Sequence, residues 1–490
     1  MATIWINGVP QPVTVGTRLS EVLSRAPHPC GGKGICGKCR VRATGALSPL
    51  SREEERHLTP FEIADDLRLS CCTLVEGDCR VTVDPDSVMA VVTNGQAATA
   101  AVRPTFAAYG AAVDIGTTTI AARLYDTAGR MLAQAGCANP QIAYGADVLS
   151  RVEAAGEGND LATPLQNAVN ALLSRLAAEV GIVPAAIDGV VITGNTAMLC
   201  FVTATATASL ARAPFSLPRA FNETLSAADV GLTALSPNRP VYLPPCVAAF
   251  IGADALCAAL ACDMDSTALL ADMGTNGEML LAHQNTLYAC STAAGPAFEG
   301  VGISCGVPAM DGAIDEVALM NGGFVAHVIG GGKAVGICGS GLVDAAACLL
   351  LTEELDSSGY LDTPATLAEG VTLTQEDVRA LQQAKAAVSA GLQTLLHHAY
   401  LTADAVETLY TAGGFGSRLN GRNAAAIGLL SPALASQIKP VGNAALDGAA
   451  RLLLDDSARQ VITDLAQRTQ VIELATDTFF TDTFIKNMSF

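Results

Sequence analysis

The sequence predicts a multidomain protein of mixed α+β and α/β class, and three observations carry that expectation. At 490 residues the chain exceeds what one hydrophobic core serves, so it divides into at least two domains. Near its start, "TIWINGVPQPVTV" alternates around an Asn-Gly pair, the strongest short hairpin signal. Further on, an apolar strand running into D-x-G-T and then a second strand occurs twice, at 111–126 and at 268–282, as a duplicated architecture would write it.

The first domain is expected over residues 1–86. After the hairpin, "RLSEVLSRA" has helical spacing with Ser20 available as a cap, and "CRVTVDP" closes as a strand. Between them lies "PCGGKGICGKCRV" (29–41). Gly32 to Lys38 spells G-x-x-x-x-G-K, but a phosphate loop needs Ser or Thr after the lysine and an apolar strand before the glycines. Here Cys39 follows, and two prolines precede.

The same stretch supplies thiols. Cys30, Cys36 and Cys39 are spaced C-x5-C-x2-C, and Cys71 follows with 31 residues between it and Cys39, in "RLSCCTLVEGDCRV". Plant-type [2Fe–2S] proteins use C-x4-C-x2-C with a distant fourth cysteine, the same scheme with one loop residue fewer. Four thiolates can hold two bridged irons. Gly31, Gly32, Gly34 and Gly37 let the backbone aim N–H groups at sulfur, and Lys33 and Lys38 offset the negative charge. A structural zinc site is the alternative, although zinc ribbons favour two C-x2-C knuckles and one is present here. Cys72 and Cys79 compete with Cys71 for the fourth position. Hairpin, helix, cysteine loop and final strand together resemble the β-grasp ferredoxin fold.

Residues 87–109 have few charges and no sustained period, and read as a linker. The larger body follows, divided into 110–262 and 263–490, each half carrying one strand–D-x-G-T–strand phrase. In the first, Asp114, Gly116, Thr117, Thr118 and Thr119 line up; in the second, Asp272, Gly274, Thr275, Asn276 and Gly277. The glycines let backbone N–H groups approach a phosphate, and the threonine hydroxyls can donate to its oxygens. Each carboxylate can hold Mg²⁺ directly or through water. Glu278 either orients an attacking water, binds metal, or is a solvated strand carboxylate.

Composition narrows the partners. The net charge is −19 with only 28 basic residues, a field that repels nucleic acid and anionic lipid. The longest uncharged stretch, 23 residues from Gly189 to Ala211, contains five threonines and suits a buried strand and helix better than a membrane span. The first ten residues have no signal-peptide pattern. The 15 cysteines are therefore expected as thiols or metal ligands in a reducing compartment, the cytoplasm.

The duplicated body resembles the actin, sugar kinase and Hsp70 (ASKHA, ribonuclease H-like) superfamily, in which ATP lies in a cleft between two related subdomains. By that resemblance Asp114, Gly116, Thr117 and Thr118 match the phosphate-1 motif, and Asp272, Gly274, Thr275 and Asn276 the phosphate-2 motif. "LYTAGGFGSRLN" looks like the adenosine motif, in which Gly413 and Gly414 admit base and ribose. "PVGNAALDGAARLLL" and "AAFIGADALCAALAC" look like the two small-residue helices that cross between subdomains. "STAAGPAFEG" (291–300), "GICGSGLVDA" (336–345) and "TGNTAM" (193–198) are either turns and caps or ligand-facing loops. Asn195 is available as a cap in the last of them.

The whole chain outside the linker resembles the reductive activators of corrinoid-dependent methyltransferase proteins, often called RACo. The resemblance rests on "CGGKGICGKCRV", "RLSCCTLVEGD", "DIGTTT", "NPQIAYGADVLSRV", "GNTAM", "DMGTNGE", "AGPAFEGVGI", "GICGSGLVD" and "AGGFGS". It implies a [2Fe–2S] cluster, Mg–ATP, a corrinoid protein as partner, a reductant that the sequence does not identify, and dimers. Familiar members often carry an extra domain where this chain has its short linker. Two enzymatic alternatives remain: an activator of another low-potential metalloenzyme, or a redox-regulated small-molecule kinase. A third is an adaptor that senses redox state and binds ATP without turnover.

Overall fold

In the computed structural model, all residues are described except 24–33, 35–36, 38, 59, 83–101, 263 and 321–322. The chain forms two compact units, Met1–Val88 with Asn139–Leu165, and Met89–Ala138 with Gln166–Phe490.

In the first unit, β1 (Ala2–Ile6), β2 (Val9–Val13), β3 (Arg40–Leu47), β4 (Leu67–Leu69) and β5 (Val75–Thr82) form one sheet in the order β2-β1-β5-β3-β4. The Asn-Gly pair turns β1 back onto β2, with Asn7 and Gly8 both at positive φ as a tight hairpin requires. β1 and β5 run parallel while the other neighbours are antiparallel, which gives the mixed sheet of a β-grasp. Ile4, Val13, Leu19, Val41, Val75, Cys79 and Val81 pack beneath it. The helix after the hairpin is short, Leu19–Val22, and Ser20 does not cap it; Arg18 holds the cap position without a side-chain bond. The N–H groups of Leu19 and Ser20 are satisfied instead by the carbonyls of Thr73 and Ser70, both at 2.9 Å. Tertiary pairing thus replaces the local cap. The Asn139–Leu165 part contributes the helix Val148–Gly156, capped by Asp147.

The second unit holds two six-stranded sheets. The first uses β6 (Tyr109–Ile115), β7 (Thr119–Asp126), β8 (Met131–Ala138), β9 (Ile187–Gly194), β10 (Glu223–Ser226) and β11 (Pro240–Leu243) in the order β10-β11-β9-β6-β7-β8. Then come β12 (Ala268–Met273), β13 (Gly277–His283) and β14 (Thr286–Thr292), small sheets from β15 (Ala313–Met320), β16 (Gly323–Val328) and β17 (Gly336–Ile337) and from β18 (Ala365–Ala368) and β19 (Val371–Leu373), and finally β20 (Thr408–Ala412), β21 (Ile438–Gly442) and β22 (Thr469–Val471). The second large sheet is ordered β21-β20-β12-β13-β14-β22.

The two large sheets share one plan. In each, an antiparallel meander of three strands (β6-β7-β8, β12-β13-β14) is extended from its first strand by two parallel ones (β9 and β11, β20 and β21). Both D-x-G-T phrases therefore fall at the same place, the turn between the first two strands. The duplication read in the sequence is a duplication of topology, that of the two-lobed actin-like fold.

Two helices join the lobes, Ala253–Ala261 and Ala444–Leu454, buried in one core with Tyr242, Leu270, Leu280 and Tyr410. They cross so closely that a Cβ on Gly448 would lie 2.6 Å from Cys257 Cα and closer to its carbonyl. The buried Arg123 of β7 pairs with Asp447 at 2.5 Å across this junction. Just before β6, the N–H groups of Arg103 and Thr105 donate to the carbonyls of Leu454 (2.8 Å) and Leu453 (2.9 Å). Asp188 of β9 accepts from the N–H groups of Ala107 and Ala108, and Phe106 is buried between these anchors. The C-terminal end of the expected linker is thus fixed; its residues 87–101 lie outside the described ones. Among the described residues no helix is long and apolar enough to cross a membrane.

Candidate functional site

A sulfur pair and a carboxylate cleft emerge, one in each unit. The sulfur pair is set by strand register. Arg40 opens β3 and Leu69 ends β4, and the two are directly paired. Cys39 and Cys71 stand just beyond that pair, and the Ser70 N–H donates to the Cys39 carbonyl at 2.9 Å. Their sulfurs are 3.1 Å apart and buried with Leu58 and Leu69. Sharing a proton at that distance draws the Cys39 thiol down to about 6 and pushes Cys71 up.

Cys72 is partly exposed, its sulfur 3.6 Å from that of Cys71. Cys79 is elsewhere, on β5 in the core under the sheet. Cys30, Cys36, Gly31, Gly32, Lys33 and Lys38 lie outside the described residues. Among the described residues no three His, Cys, Asp or Glu side chains gather as a metal set, as expected when two of the four candidate thiols are not among them.

Two charged side chains fix this region. Glu54, fully buried, accepts from Arg68 (2.8 and 3.1 Å), Leu69 N–H (3.1 Å) and Thr73 Oγ1 (2.9 Å), and closes a capping box with Ser51. It therefore pins both ends of the loop that carries Cys71. Arg40 donates to the carbonyls of Gly37 and His57, both at 3.0 Å, and pairs with Glu62. Gly37, at φ +63, lets the loop pass against His57, whose Cβ would be 2.9 Å from an added Cβ.

The cleft gathers the two D-x-G-T turns. Asp114 sits at the end of β6, where Asn443 Nδ2 donates to its Oδ2 at 2.9 Å. Thr119 O closes the first turn by accepting from Gly116 N–H at 2.9 Å, and Thr117 Oγ1 accepts from Asn195 Nδ2 at 3.1 Å. Asn195 also caps the helix Thr196–Val202 through Met198 N–H, so it is both a cap and part of the cleft. In the second turn, Gly274 N–H donates to Asn276 O at 3.0 Å, and Gly277 starts β13. Asp272 stands at the end of β12 opposite Glu278, so the two side chains share a face of the sheet, and Glu278 is half-buried. Gly413 (φ +77) meets the same carboxylate: a Cβ there would be 2.8 Å from Asp272 Oδ1. Gly414 follows, exposed.

Charge is concentrated in this cleft. Burial, then repulsion from Asp272, pushes Asp114 up to about 7, though the Asn443 bond opposes it. Burial and the Asp114 charge push Asp254 up to about 7, and burial with the Glu299 charge pushes Asp272 up to about 6. Glu278 is raised well above the usual range by burial and by Asp254, Asp272 and Glu299.

Three participants were not singled out in the sequence. Asp254 opens the crossing helix Ala253–Ala261 and was hidden in an apolar segment; a lone acid there was the available signal. Asn443 caps the helix Ala444–Leu454 through Leu446 N–H at 2.8 Å while its other end reaches Asp114. Glu299, in "AGPAFEG", accepts from Thr118 Oγ1 (3.0 Å) and from Thr275 N–H (2.8 Å), spanning both turns.

Comparison with known proteins gives the following likenesses. A family model described as the C-terminal domain of RACo, the ASKHA domain, matches residues 266–490, and one for the RACo middle region matches 109–267. A 2Fe-2S iron-sulfur cluster binding domain model matches residues 6–76. The chain is 33% identical over 418 residues to the corrinoid activation enzyme RamQ of Eubacterium limosum, covering 78% of this chain and 70% of that protein. It is 28% identical over 281 residues to the [Co(II) methylated amine-specific corrinoid protein] reductase of Methanosarcina barkeri, covering 52% of each. The solved structure of a reductive activator for corrinoid, iron-sulfur protein superposes with a TM-score of 0.73 at 26% identity, over 100% of this chain and 98% of that one.

Proposed function

The chain belongs to the RACo family, and from that premise we propose that it is an ATP-dependent reductive activator, returning the Co(II) form of a corrinoid protein to Co(I). The observation that carries the reading is the pairing, in one polypeptide, of a buried two-thiol site with a carboxylate-lined cleft flanked by two phosphate-type turns.

The thiol site suits an iron–sulfur cluster: two sulfurs at 3.1 Å, in an apolar setting, with loops drawn tight around them. The proposed ligands are Cys30, Cys36, Cys39 and Cys71, and a [2Fe–2S] cluster bound there would supply one-electron transfer near −400 mV. Cys71 is chosen over Cys72 because the β3–β4 register sets it beside Cys39. Glu54 and Arg40 hold the two cysteine-bearing segments against relaxation.

The cleft suits Mg²⁺ with a nucleotide: carboxylates driven up by burial and mutual repulsion are relieved by a divalent cation. Asp114 and Asp272 are the proposed holders, directly or through water. Thr117, Thr118, Thr119 and Thr275 would donate to phosphate oxygens, with Gly116, Gly274, Asn276 and Gly277 shaping the turns. Gly413 and Gly414 leave room for ribose and base.

ATP is needed because of the size of the redox gap. For one electron, each ~59 mV uphill costs a factor of ten, so a donor ~180 mV short leaves about one cobalt in a thousand reduced. Nucleotide-dependent closure of the lobes on a docked partner can shift that balance. The chain's 15 cysteines, as thiols and cluster ligands, would suit the proposed cytoplasmic location.

The test is optical. Anaerobically purified protein is mixed with a Co(II) corrinoid protein and dithionite, with and without Mg–ATP. Conversion to Co(I) is expected only with ATP. Iron-free protein holding stoichiometric zinc, or ATP consumed to make a sugar phosphate, would overturn the reading.

A further inference from the structure

Glu299 occupies a position that neither the sequence motifs nor the family resemblance assigns. Its carboxylate spans the two turns meant for phosphate: Oε2 takes the Thr118 hydroxyl at 3.0 Å and Oε1 takes the Thr275 N–H at 2.8 Å. These residues are 181 and 24 positions away, so the contact belongs to the fold and not to a local turn. Its neighbours hold it from behind. Glu299 ends a short 3-10 turn, Pro296–Glu299, closed by Gly300 at φ +75, and Phe298 beside it is buried and stacked on Phe415 with ring centroids 4.3 Å apart. Gly295 N–H donates to Thr275 O at 3.0 Å, tying the segment to the second turn.

A carboxylate and a terminal phosphate cannot both accept these two donors. When nucleotide enters, its oxygens take the hydroxyl and the N–H, and Glu299 is left facing a like charge from a fixed backbone. Two anions so placed repel unless a proton donor stands between them, and water is the donor that fits, giving its proton to the carboxylate and its lone pair to phosphorus. Glu278 is less suited. It lies on the strand directly opposite Asp272 and bridges no turn, whereas Glu299, whose charge also reaches Asp272, accepts from a donor of each turn.

We propose that Glu299 is a catalytic residue of the ATP hydrolysis, orienting the attacking water between the phosphate-1 and phosphate-2 turns and accepting its proton. In that step the water oxygen bonds to the γ-phosphorus, the bond from phosphorus to the β–γ bridging oxygen breaks with its electron pair going to ADP, and the proton rests on Glu299 before passing to the released phosphate. The proposal rests on the ATPase reading above.

The experiment compares wild type, Glu299→Gln and Glu299→Asp in the full chain, measuring nucleotide affinity with a fluorescent ADP analogue and hydrolysis across pH. In Glu299→Gln, kcat is expected to fall 10²–10⁴-fold, the range for loss of a general base, with affinity unchanged or tighter. Glu299→Asp, which keeps a carboxylate in place, should retain part of the rate that Glu299→Gln loses. If kcat stays within threefold of wild type, Glu299 is only a latch between turns and the proposal is wrong. Loss of affinity in step with kcat would also overturn it, by showing that the carboxylate shapes the turns. Wild-type protein that binds ATP but never hydrolyses it, even with a Co(II) corrinoid protein, would instead defeat the ATPase reading itself.

Discussion

Gly448 offers the most direct test of how the two lobes are joined. Replacing it with alanine puts a Cβ 1.9 Å from the Cys257 carbonyl oxygen, where ordinary contact begins at 3.4 Å. The helices must therefore separate by about 1.5 Å, and because the obstacle is backbone, no rotamer change relieves it. Overpacking of this kind costs about 1–3 kcal/mol, with the upper end expected against main chain. Parting two packed helices by that much also forfeits roughly half or more of each affected dispersion contact. Alanine's better helix propensity offsets about 1 kcal/mol, leaving a net loss of about 2 kcal/mol or more. The displaced helix also carries Asn443 and Asp447, so the bonds to Asp114 and Arg123 loosen and nucleotide affinity falls along with stability. Thermal unfolding and ADP binding measure both effects. Gly156→Ala is the control, since a Cβ there meets nothing within 4 Å. If Gly448→Ala unfolds with its control and binds ADP like wild type, the crossing does not constrain the cleft and the reasoning fails.

Other expectations concern both sites. Cys39→Ser and Cys71→Ser should lose iron and visible absorbance, while Cys72→Ser and Cys79→Ser retain them; iron retained by Cys71→Ser but lost by Cys72→Ser would reverse the ligand assignment. Glu54→Gln leaves Arg68 without its buried partner, at about 3–5 kcal/mol, and should release iron on gel filtration before the second unit unfolds. The cleft carboxylates give a signed pH dependence. Acids raised in the folded state bind protons that the unfolded chain has lost, so the cleft's contribution to nucleotide-free stability is fully present below about pH 4 and is lost as pH rises through 6 to 7. Each tenfold change in proton affinity is worth about 1.4 kcal/mol, and the groups share the penalty. Mg–ADP should therefore raise the unfolding temperature more at pH 7.5 than at pH 5.5, and a shift independent of pH would refute the carboxylate argument.

Much of the fold was legible because its signals are local. The Asn-Gly hairpin needs only two residues at positive φ, and the repeated D-x-G-T phrase marks equivalent turns in equivalent sheets. Asp114 and Asp272 could be found because each ends an apolar strand. Glu299 itself could not, although its segment 291–300 was a candidate ligand-facing loop: its partners are fixed by the meeting of two lobes, 181 residues apart for Thr118, and no local pattern encodes that. Asp254 was masked by the small residues around it, which report helix crossing and drew attention from the single acid. Ser20 failed as a cap for a related reason, since the loop at Ser70 and Thr73 supplies acceptors that a sequence window of nine residues does not contain. Asn195 shows the opposite case, where a cap and a cleft contact are two uses of one amide.

The helix Ala444–Leu454 spans about 16 Å from one end to the other. At its start Asn443 grips Asp114; at its finish Leu453 and Leu454 grip the backbone of residues 103–105. A stiff rod anchored this way acts as a lever. A tilt of about 5° at the Asp114 end moves the other end of the helix by roughly 1.4 Å, so a change at Asp114 is felt by the backbone of residues 103–105.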